Sequence, residues 1–159
     1  MKKKGLAPII DNGTRILILG SLPSDKSISK QQYYGNPGND FWRLIHEVIG
    51  EDIITLDYET KIQRLKEHEI GLWDIFLTGD RDGSMDSNIR NQEINDFSNL
   101  KKVAPNLRLI CFNGKKAGEF ENMFRECGIK TKVLLSSSSA NRRYSKKRTM
   151  EWQSIVDSM

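Results

Sequence analysis

The residues most able to do chemistry lie close together, between positions 20 and 42, in the sequence GSLPSDKSISKQQYYGNPGNDFW. Asn39 carries a carboxamide whose oxygen can orient a water molecule by accepting a hydrogen bond. An amide takes up no proton near neutral pH, so it would act by positioning the water and not as a general base. Asn39 also precedes a helical pattern that begins near Asp40, and asparagine is a common helix N-cap. Both roles are open on local sequence alone.

Two neighbouring tyrosines, Tyr33 and Tyr34, lie in a segment rich in glycine and polar residues and not on a periodic apolar face. A tyrosine in such a loop can stack on an unpaired nucleobase, or it can fill a gap between the loop and the core. We expect one of each, with Tyr34 as the stacking residue. Serine hydroxyls in the same segment can hold phosphate oxygens, although an ordinary polar loop would contain them too: Ser21, Ser24, Ser27 and Ser29.

Four short apolar runs predict the strands that must position these side chains. They are residues 15–19, 71–77, 107–112 and 132–135. Each run is continuous, which is typical of strands covered on both faces. Amphipathic helical patterns separate them, at residues 41–49 before Gly50, at Ile94, Phe97 and Leu100, and at residues 117–127 before Gly128. Strands that alternate with helices predict an α/β fold with a parallel sheet, in one domain over residues 1–159.

Every loop that follows a predicted strand is polar, small or rich in glycine. These loops are residues 20–24, 79–84, 113–116 and 136–143. In an open parallel sheet the carboxyl ends of the strands share one edge, and ligands bind in the crevice at that edge. We therefore expect the four loops to form one cleft.

Composition restricts the class of protein. The chain has 25 Lys and Arg against 21 Asp and Glu, a net charge of +4, which fits a polyanionic partner without requiring one. Cys111 and Cys127 form no CxxC pair, so we expect reduced cysteines in a cytoplasmic protein, with no disulfide framework and no four-cysteine metal site. No segment is long and apolar enough to predict a membrane span.

The sequence also resembles a known family. The first motif of the hypoxanthine-DNA glycosylases closely resembles residues 20–24, 32–34, 36–37 and 39–42 of this chain. That group is a branch of the uracil-DNA glycosylase superfamily near the mismatch-specific uracil/thymine enzymes. The family's second block resembles residues 72–74, 81, 83–84, 86–87 and 89. Its third block resembles residues 112–115 and 117. The resemblance follows the family's order over nearly the whole chain, and the first motif is its most specific part.

This resemblance implies a three-layer α/β/α sandwich with a central four-stranded parallel sheet, no cofactor and no metal. It implies that Asn39 supplies the catalytic amide and that Tyr34 stacks on a base flipped out of DNA. The mismatch-specific relatives carry asparagine where this chain has Leu22, so Leu22 together with Asn39 favours hypoxanthine over uracil. We expect base contacts from Ser21, Leu22, Pro23, Ser24, Tyr34, Asp74 and Asn113. For Asp74 and Asn113 a structural role, as a capping or turn residue, is also open.

The last motif departs from the family, which usually reads Pro-Ser-Thr-Ser-Pro-Ala-Asn. Leu135 and Ser139 replace the two prolines, and we expect a more flexible loop because two fixed φ angles are lost. In the family this loop enters the minor groove and fills the gap left by the flipped nucleotide. DNA contacts are therefore expected from Ser136, Ser137, Ser138, Ser139, Ala140, Asn141, Arg142 and Arg143, unless this is an ordinary solvated basic loop.

The sequence thus predicts a monomeric, monofunctional DNA glycosylase that hydrolyses the N-glycosidic bond of a deaminated base, with hypoxanthine favoured, in base excision repair. No lysine is placed as a Schiff-base nucleophile, so the expected product is an abasic site. Three alternatives stay open: a uracil-DNA glycosylase of the same fold, a non-catalytic nucleic-acid-binding domain, and a small-molecule hydrolase or nucleotide-binding protein. The last is disfavoured because the chain has neither a GxxxxGK[ST] loop nor a GxSxG elbow.

Overall fold

The structure is a computed structural model that describes residues 2–83 and 85–158, so Ser84 of the second sequence block lies outside the described residues. The strands are β1 (Lys2–Lys4), β2 (Ile16–Gly20), β3 (Ile70–Asp74), β4 (Phe76–Asp80), β5 (Arg90–Ile94), β6 (Leu109–Asn113) and β7 (Lys130–Leu134). The α-helices are α1 (Asp25–Lys30), α2 (Phe41–Ile49), α3 (Tyr58–Glu67), α4 (Leu100–Val103), α5 (Lys115–Gly118), α6 (Glu121–Arg125) and α7 (Ser145–Gln153). Short 3-10 helices cover Asp86–Asn88, Ser139–Tyr144 and Ser154–Ser158.

The central sheet has four parallel strands in the order β3-β2-β6-β7, which confirms the predicted sheet. Successive side chains of a strand point to opposite faces, and both faces of β2 are buried. On one face Ile18 packs in the same buried cluster as Phe41 of α2 and Trp152 of α7. On the other face Leu19 packs with Phe124 of α6. Helices therefore cover the sheet on both sides, as the three-layer prediction requires.

A second sheet was not predicted, and it corrects one strand boundary. The apolar run 71–77 is two strands: β3 ends at Asp74, and after the buried Ile75 the chain enters β4, which pairs antiparallel with β1 and β5. The Ile75 N–H donates to the Gly20 carbonyl, so the chain leaves the parallel sheet without a polar turn residue and hydropathy shows no break. Gly79 and Asp80 of the predicted loop 79–84 consequently lie in β4, and residues 81–83 follow β4 and not a strand of the parallel sheet.

The helix predictions met mixed outcomes. Helix α2 ends at Ile49, and Gly50 adopts a φ of 72° as its left-handed C-cap, as predicted. The pattern at residues 117–127 forms two short helices, α5 and α6, and Ile94 lies in β5 and not in a helix. Helix α1 was missed because it is polar and only Ser27 is buried. None of the helices described is long and apolar enough to cross a membrane.

Candidate active site

Three neighbouring strands place Asp74, Gly20 and Asn113 side by side at the carboxyl edge of the parallel sheet. Gly20 pairs with Asp74 across β2 and β3, and the pairing of Leu19 with Phe112 puts Gly20 beside Asn113 on β6. A Cβ on Gly20 would lie 2.6 Å from Asp74 Oδ1 and 3.1 Å from the Tyr34 hydroxyl oxygen. The missing side chain therefore leaves the notch that the carboxyl group and the phenol occupy.

Tyr34 is held in one orientation above this notch. Its ring stacks on Phe41 with centroids 3.8 Å apart and an interplanar angle of 11°. Its hydroxyl accepts a hydrogen bond from Asn113 Nδ2 at 3.1 Å, and its backbone adopts a φ of 54°, in the left-handed region. Burial, and then the charge of Asp74, raises the pKa of Tyr34, so the phenol is neutral. Since Phe41 covers one ring face, only the opposite face can stack on a ligand.

Tyr33 lies in the core, as expected for the other tyrosine of the pair. Its side chain is buried, and its hydroxyl donates to the Ala7 carbonyl at 2.8 Å. The two tyrosines thus point to different environments although they are adjacent in sequence.

Asp74 is a buried carboxyl group whose Oδ2 has no hydrogen-bond partner among the described residues. The residue is only 4% exposed. Burial and, to a smaller extent, the negative charge of Asp86 raise its pKa to about 7, against the positive charge of Arg81, which lowers it. A large fraction of Asp74 is therefore protonated near neutral pH, so that its carboxyl group can both donate and accept a hydrogen bond.

The serines that follow β2 use their hydroxyls inside the protein. Ser21 Oγ donates to Asp86 Oδ1 at 2.7 Å, and Ser24 Oγ accepts from the Ser27 N–H at 3.2 Å as the N-cap of α1. In the described structure the Ser21 hydroxyl is therefore bound to a carboxylate and the Ser24 hydroxyl caps a helix, as in the ordinary polar loop that the sequence also allowed.

Arg81 holds the backbone of the loop that follows β2. Its guanidinium group is buried and donates to the carbonyls of Leu22, at 3.2 Å, and Pro23, at 2.7 Å. The Leu22 side chain is buried in the apolar cluster on the far face of the sheet, so it contributes its backbone and not its side chain to the edge. Within the described residues, the backbone N–H groups of Ser21, Leu22 and Ser24 donate no hydrogen bond. These donors at the end of β2 thus have no partner within the described part of the protein.

Asn39 bonds to the first turn of α2 and also borders a cavity. Its Oδ1 accepts a hydrogen bond from the Phe41 N–H at 2.9 Å, which satisfies a backbone donor in the first turn of α2. The half-buried side chain also borders an open cavity of about 380 Å³, and Tyr34 borders the same cavity. We name it the Tyr34–Asn39 cavity. The side chain is neither sealed inside the protein nor separated from Tyr34.

The next residue, Asp40, is the centre of a cluster of arginines that the sequence did not reveal. Its carboxylate accepts from Arg142 Nε at 3.0 Å and from Arg148 at 2.7 Å, and it pairs with Arg43 at 2.8 Å. Burial would raise the pKa of Asp40, but hydrogen bonds from Arg142 and Arg148 and the nearby charge of Arg43 lower it. The sequence signal was weak because Arg148 lies on the polar helix α7 and comes 108 positions after Asp40.

These arginines fasten residues 136–143, here called the serine–arginine loop, to the segment that carries Asn39. Arg148 donates to the carbonyls of Ser136 and Ser138, and the Asp40 N–H donates to the Ser137 carbonyl. Asn113 also holds the loop, because its amide bonds to both the hydroxyl and the N–H of Ser137. The loop is thus bonded to β6, to the N-cap residue of α2 and to α7 despite its lost prolines.

The tip of the serine–arginine loop divides into exposed and bonded side chains. Ser139, Ala140 and Arg143 are exposed, whereas Asn141 donates to the Ser136 carbonyl. Arg142, with 50% of its side chain exposed, is engaged by Asp40. Of the predicted DNA-contacting residues, Ser137 is buried and lies out of reach of a groove.

The described residues contain no group of three or more His, Cys, Asp or Glu side chains arranged to hold a metal ion. Asp74 and Asp86 are close enough for their charges to interact, but Ser21 and Arg81 bind Asp86. The polar groups at the edge of the sheet are thus an amide, a phenol, a protonatable carboxyl group and backbone donors. Such a set can bind a flat polar ligand and orient a water molecule.

Comparisons with known proteins agree with this geometry. The sequence model of the Uracil DNA glycosylase superfamily matches residues 7–158. A Hypoxanthine DNA glycosylase of Methanosarcina acetivorans is 60% identical over 155 residues, which cover 98% of each chain. A protein of the same name from Methanosarcina barkeri is 57% identical over 152 residues, 96% of each chain. The solution NMR structure of a candidate uracil DNA glycosylase from M. acetivorans superposes with a TM-score of 0.91 at 60% identity, covering 98% of this chain and 97% of that one.

Proposed function

The chain belongs to the uracil DNA glycosylase superfamily, and from this premise we propose that it is a monofunctional DNA glycosylase that releases hypoxanthine from DNA. The Methanosarcina relatives that cover nearly the whole chain carry that activity in their names. The observation that carries the proposal is that Asn39 and Tyr34 border one open cavity. The Tyr34 hydroxyl also binds Asn113 at the polar edge of the sheet. The cavity, of about 380 Å³, falls in the size range of small-molecule sites.

The damaged nucleotide leaves the duplex and its base stacks on the free face of Tyr34. Extrusion costs a few kcal/mol and is easiest for a mispaired base. Tyr34 is preorganised for stacking because Phe41 and Asn113 already fix its ring and its hydroxyl. The ordering of this aromatic group is therefore completed during folding and not on binding.

Asn39 holds the attacking water against the sugar. A carboxamide oxygen has two lone pairs, so Asn39 Oδ1 can accept from the Phe41 N–H and from a water molecule at once. As the glycosidic bond breaks, the sugar becomes positive and the departing base becomes negative. The free N–H groups of Ser21, Leu22 and Ser24 stabilise that negative charge as preorganised donors.

Asp74 reads the edge of the base that deamination creates. Hypoxanthine presents an N–H next to a carbonyl oxygen. A protonated carboxyl group offers the complementary acceptor and donor, and the pKa of about 7 keeps a large part of Asp74 in that form near neutral pH. An ionised Asp74 would still accept from the N–H but would face the carbonyl oxygen with negative charge.

The serine–arginine loop contacts DNA through its exposed tip. Ser139, Ala140 and Arg143 are the exposed residues available to enter a groove or to meet a phosphate. We propose that the enzyme works as a monomer in the cytoplasm, without metal or cofactor, and that its product is an abasic site.

One assay tests the activity. The protein is incubated with duplexes that hold a single hypoxanthine, uracil or xanthine, and abasic sites are then cleaved with alkali. Product mainly from hypoxanthine is expected. Product mainly from uracil would indicate the uracil enzyme of the same fold, and binding without product would indicate a non-catalytic nucleic-acid-binding domain.

Replacement of Asn39 tests the mechanism. Asn39→Ala should lower single-turnover cleavage by about 100-fold or more with little change in DNA affinity, a typical size for loss of a positioning group. Asn39→Ser keeps an oxygen able to cap α2, so it separates a catalytic loss from a loss of helix capping. Asn12→Ala, at an exposed position, is the control. Cleavage by Asn39→Ala at the control rate would refute the role given to Asn39.

A further inference from the structure

The Tyr34–Asn39 cavity has a basic wall that the proposed chemistry does not use. Lys30 of α1, Arg43 of α2 and Lys61 of α3 border it. Among the described residues that border the cavity there is no aspartate and no glutamate. The cavity therefore combines three positive side chains with the aromatic rings of Trp42 and Tyr58.

The two lysines border the same cavity, and neither has an acidic partner among the described residues. Lys61 Nζ lies 5.0 Å from the centroid of the Trp42 ring, and in the described part of the chain Lys61 forms no ion pair. Partial burial, and then the positive charge of Lys30, lowers the pKa of Lys61, so the two ammonium groups repel each other. Among the described residues, Lys30 Nζ donates to one group, the neutral Gly35 carbonyl, at 2.9 Å. An anion placed between these lysines would relieve that repulsion.

The basic wall continues into the serine–arginine loop. Arg43 pairs with Asp40, and Arg142 binds the same carboxylate from the loop. Because Arg148 binds it too, three guanidinium groups meet one carboxylate, and a net positive charge remains between the cavity and the loop. Arg43, which borders the cavity, and Arg142 of the loop thus share one carboxylate and link the basic wall to the loop.

We propose that Lys30 and Lys61 bind a phosphate that flanks the everted nucleotide, on the strand that carries the damaged base. That the bound anion is a phosphate of DNA rests on the proposed function. Asn39 and Tyr34 border the same cavity, so a nucleotide whose sugar meets Asn39 carries its own phosphate toward the basic wall. Trp42 and Tyr58 offer apolar surface to the sugar next to that phosphate.

Salt dependence of binding tests this assignment with a matched control. Lys30→Gln combined with Lys61→Gln removes both charges of the basic wall. Lys26→Gln combined with Lys66→Gln removes two exposed charges from the same helices outside the cavity. The first pair should flatten the slope of log K against log salt by about 0.9, the contribution of one phosphate contact. The control pair should bind and cleave like the wild type.

A neutral backbone linkage locates the phosphate. Duplexes containing hypoxanthine are made with one methylphosphonate on either side of the damaged nucleotide. One of the two substitutions should weaken binding by the wild type and by the control pair, but should not weaken binding by Lys30→Gln/Lys61→Gln further. Thermal melting checks that both double variants are folded.

The outcomes separate this inference from the activity. A slope equal to that of the control pair, or equal sensitivity of all three proteins to both methylphosphonates, refutes the lysine site even if hypoxanthine is released. Failure of the wild type to release any deaminated base refutes the proposed function, whereas the slope and the methylphosphonate pattern still report on the phosphate site. If the wild type does not bind DNA, both are refuted.

Discussion

The buried carboxyl group of Asp74 should lower the stability of the protein at neutral and alkaline pH, and Asp74→Asn should remove that effect. The pKa is about 7 in the folded protein against an ordinary value of 3.8. Well below pH 3.8 Asp74 is protonated in both the folded and the unfolded protein, so its ionisation does not lower the stability. Between 3.8 and 7 the unfolded chain ionises while the folded protein does not, so stability falls with rising pH and then levels off. The difference between the two pKa values corresponds to a loss of about 4 kcal/mol in the free energy of unfolding.

Urea unfolding of the wild type and of Asp74→Asn at pH 4 and pH 8 measures this difference. The buried amide carries its own cost, but that cost does not depend on pH. The stability of Asp74→Asn relative to wild type should therefore rise by about 4 kcal/mol from pH 4 to pH 8. Asp82→Asn, at an exposed position, is the control with the same change of charge. If the relative stability of Asp74→Asn is the same at both pH values, Asp74 is ionised in the folded protein and the reasoning fails.

The same titration should appear in catalysis, because Asp74 is proposed to donate a hydrogen bond to the base. The rate at which the wild type releases hypoxanthine at subsaturating DNA should decline as the pH rises through about 7. Asp74→Asn should be slower and should lack that decline. A wild-type rate that is flat from pH 6 to pH 8 would contradict a donor role for Asp74.

Two further substitutions test the packing that supports the site. Arg148→Met should lower the free energy of unfolding by about 3–5 kcal/mol, because it breaks a buried ion pair. Arg142→Met, at a half-exposed side chain, should lower it by less than about 1 kcal/mol. Equal losses of the two variants in denaturant titrations would contradict the buried role of Arg148. Gly20→Ala should cost about 1–3 kcal/mol and lower cleavage, since its Cβ would displace Asp74 and Tyr34. Gly13→Ala, where a Cβ meets only Asp11 Oδ1 at 3.4 Å, is the comparison, and the same melting temperature for both variants would argue against the notch.

The sequence predicted the parallel sheet and helix α2 because each has a strong local signal. Strand β2 is a short apolar run with both faces buried, and α2 joins a regular apolar stripe to a terminal glycine. The second sheet has no comparable signal. Strand β5 is exposed along its whole length, so its sequence shows no apolar periodicity, and Ile75 joins β3 to β4 through apolar residues. A change of sheet is visible in hydrogen bonds and not in hydropathy.

The site shows a similar limit, because residue type identifies a group but not its partners. The sequence predicts Asn39, Tyr34, Asp74 and Asn113 individually as site residues, but nothing in it links Asn113 to the Tyr34 hydroxyl 79 positions away. The link depends on Gly20, whose missing side chain leaves room for the phenol between Asp74 and Asn113. Asn113 also bonds to Ser137, so one amide fixes both the proposed stacking ring and the loop proposed to meet DNA. A substitution at Asn113 would therefore disturb base stacking and loop position together, which residue-by-residue assignment from sequence could not foresee.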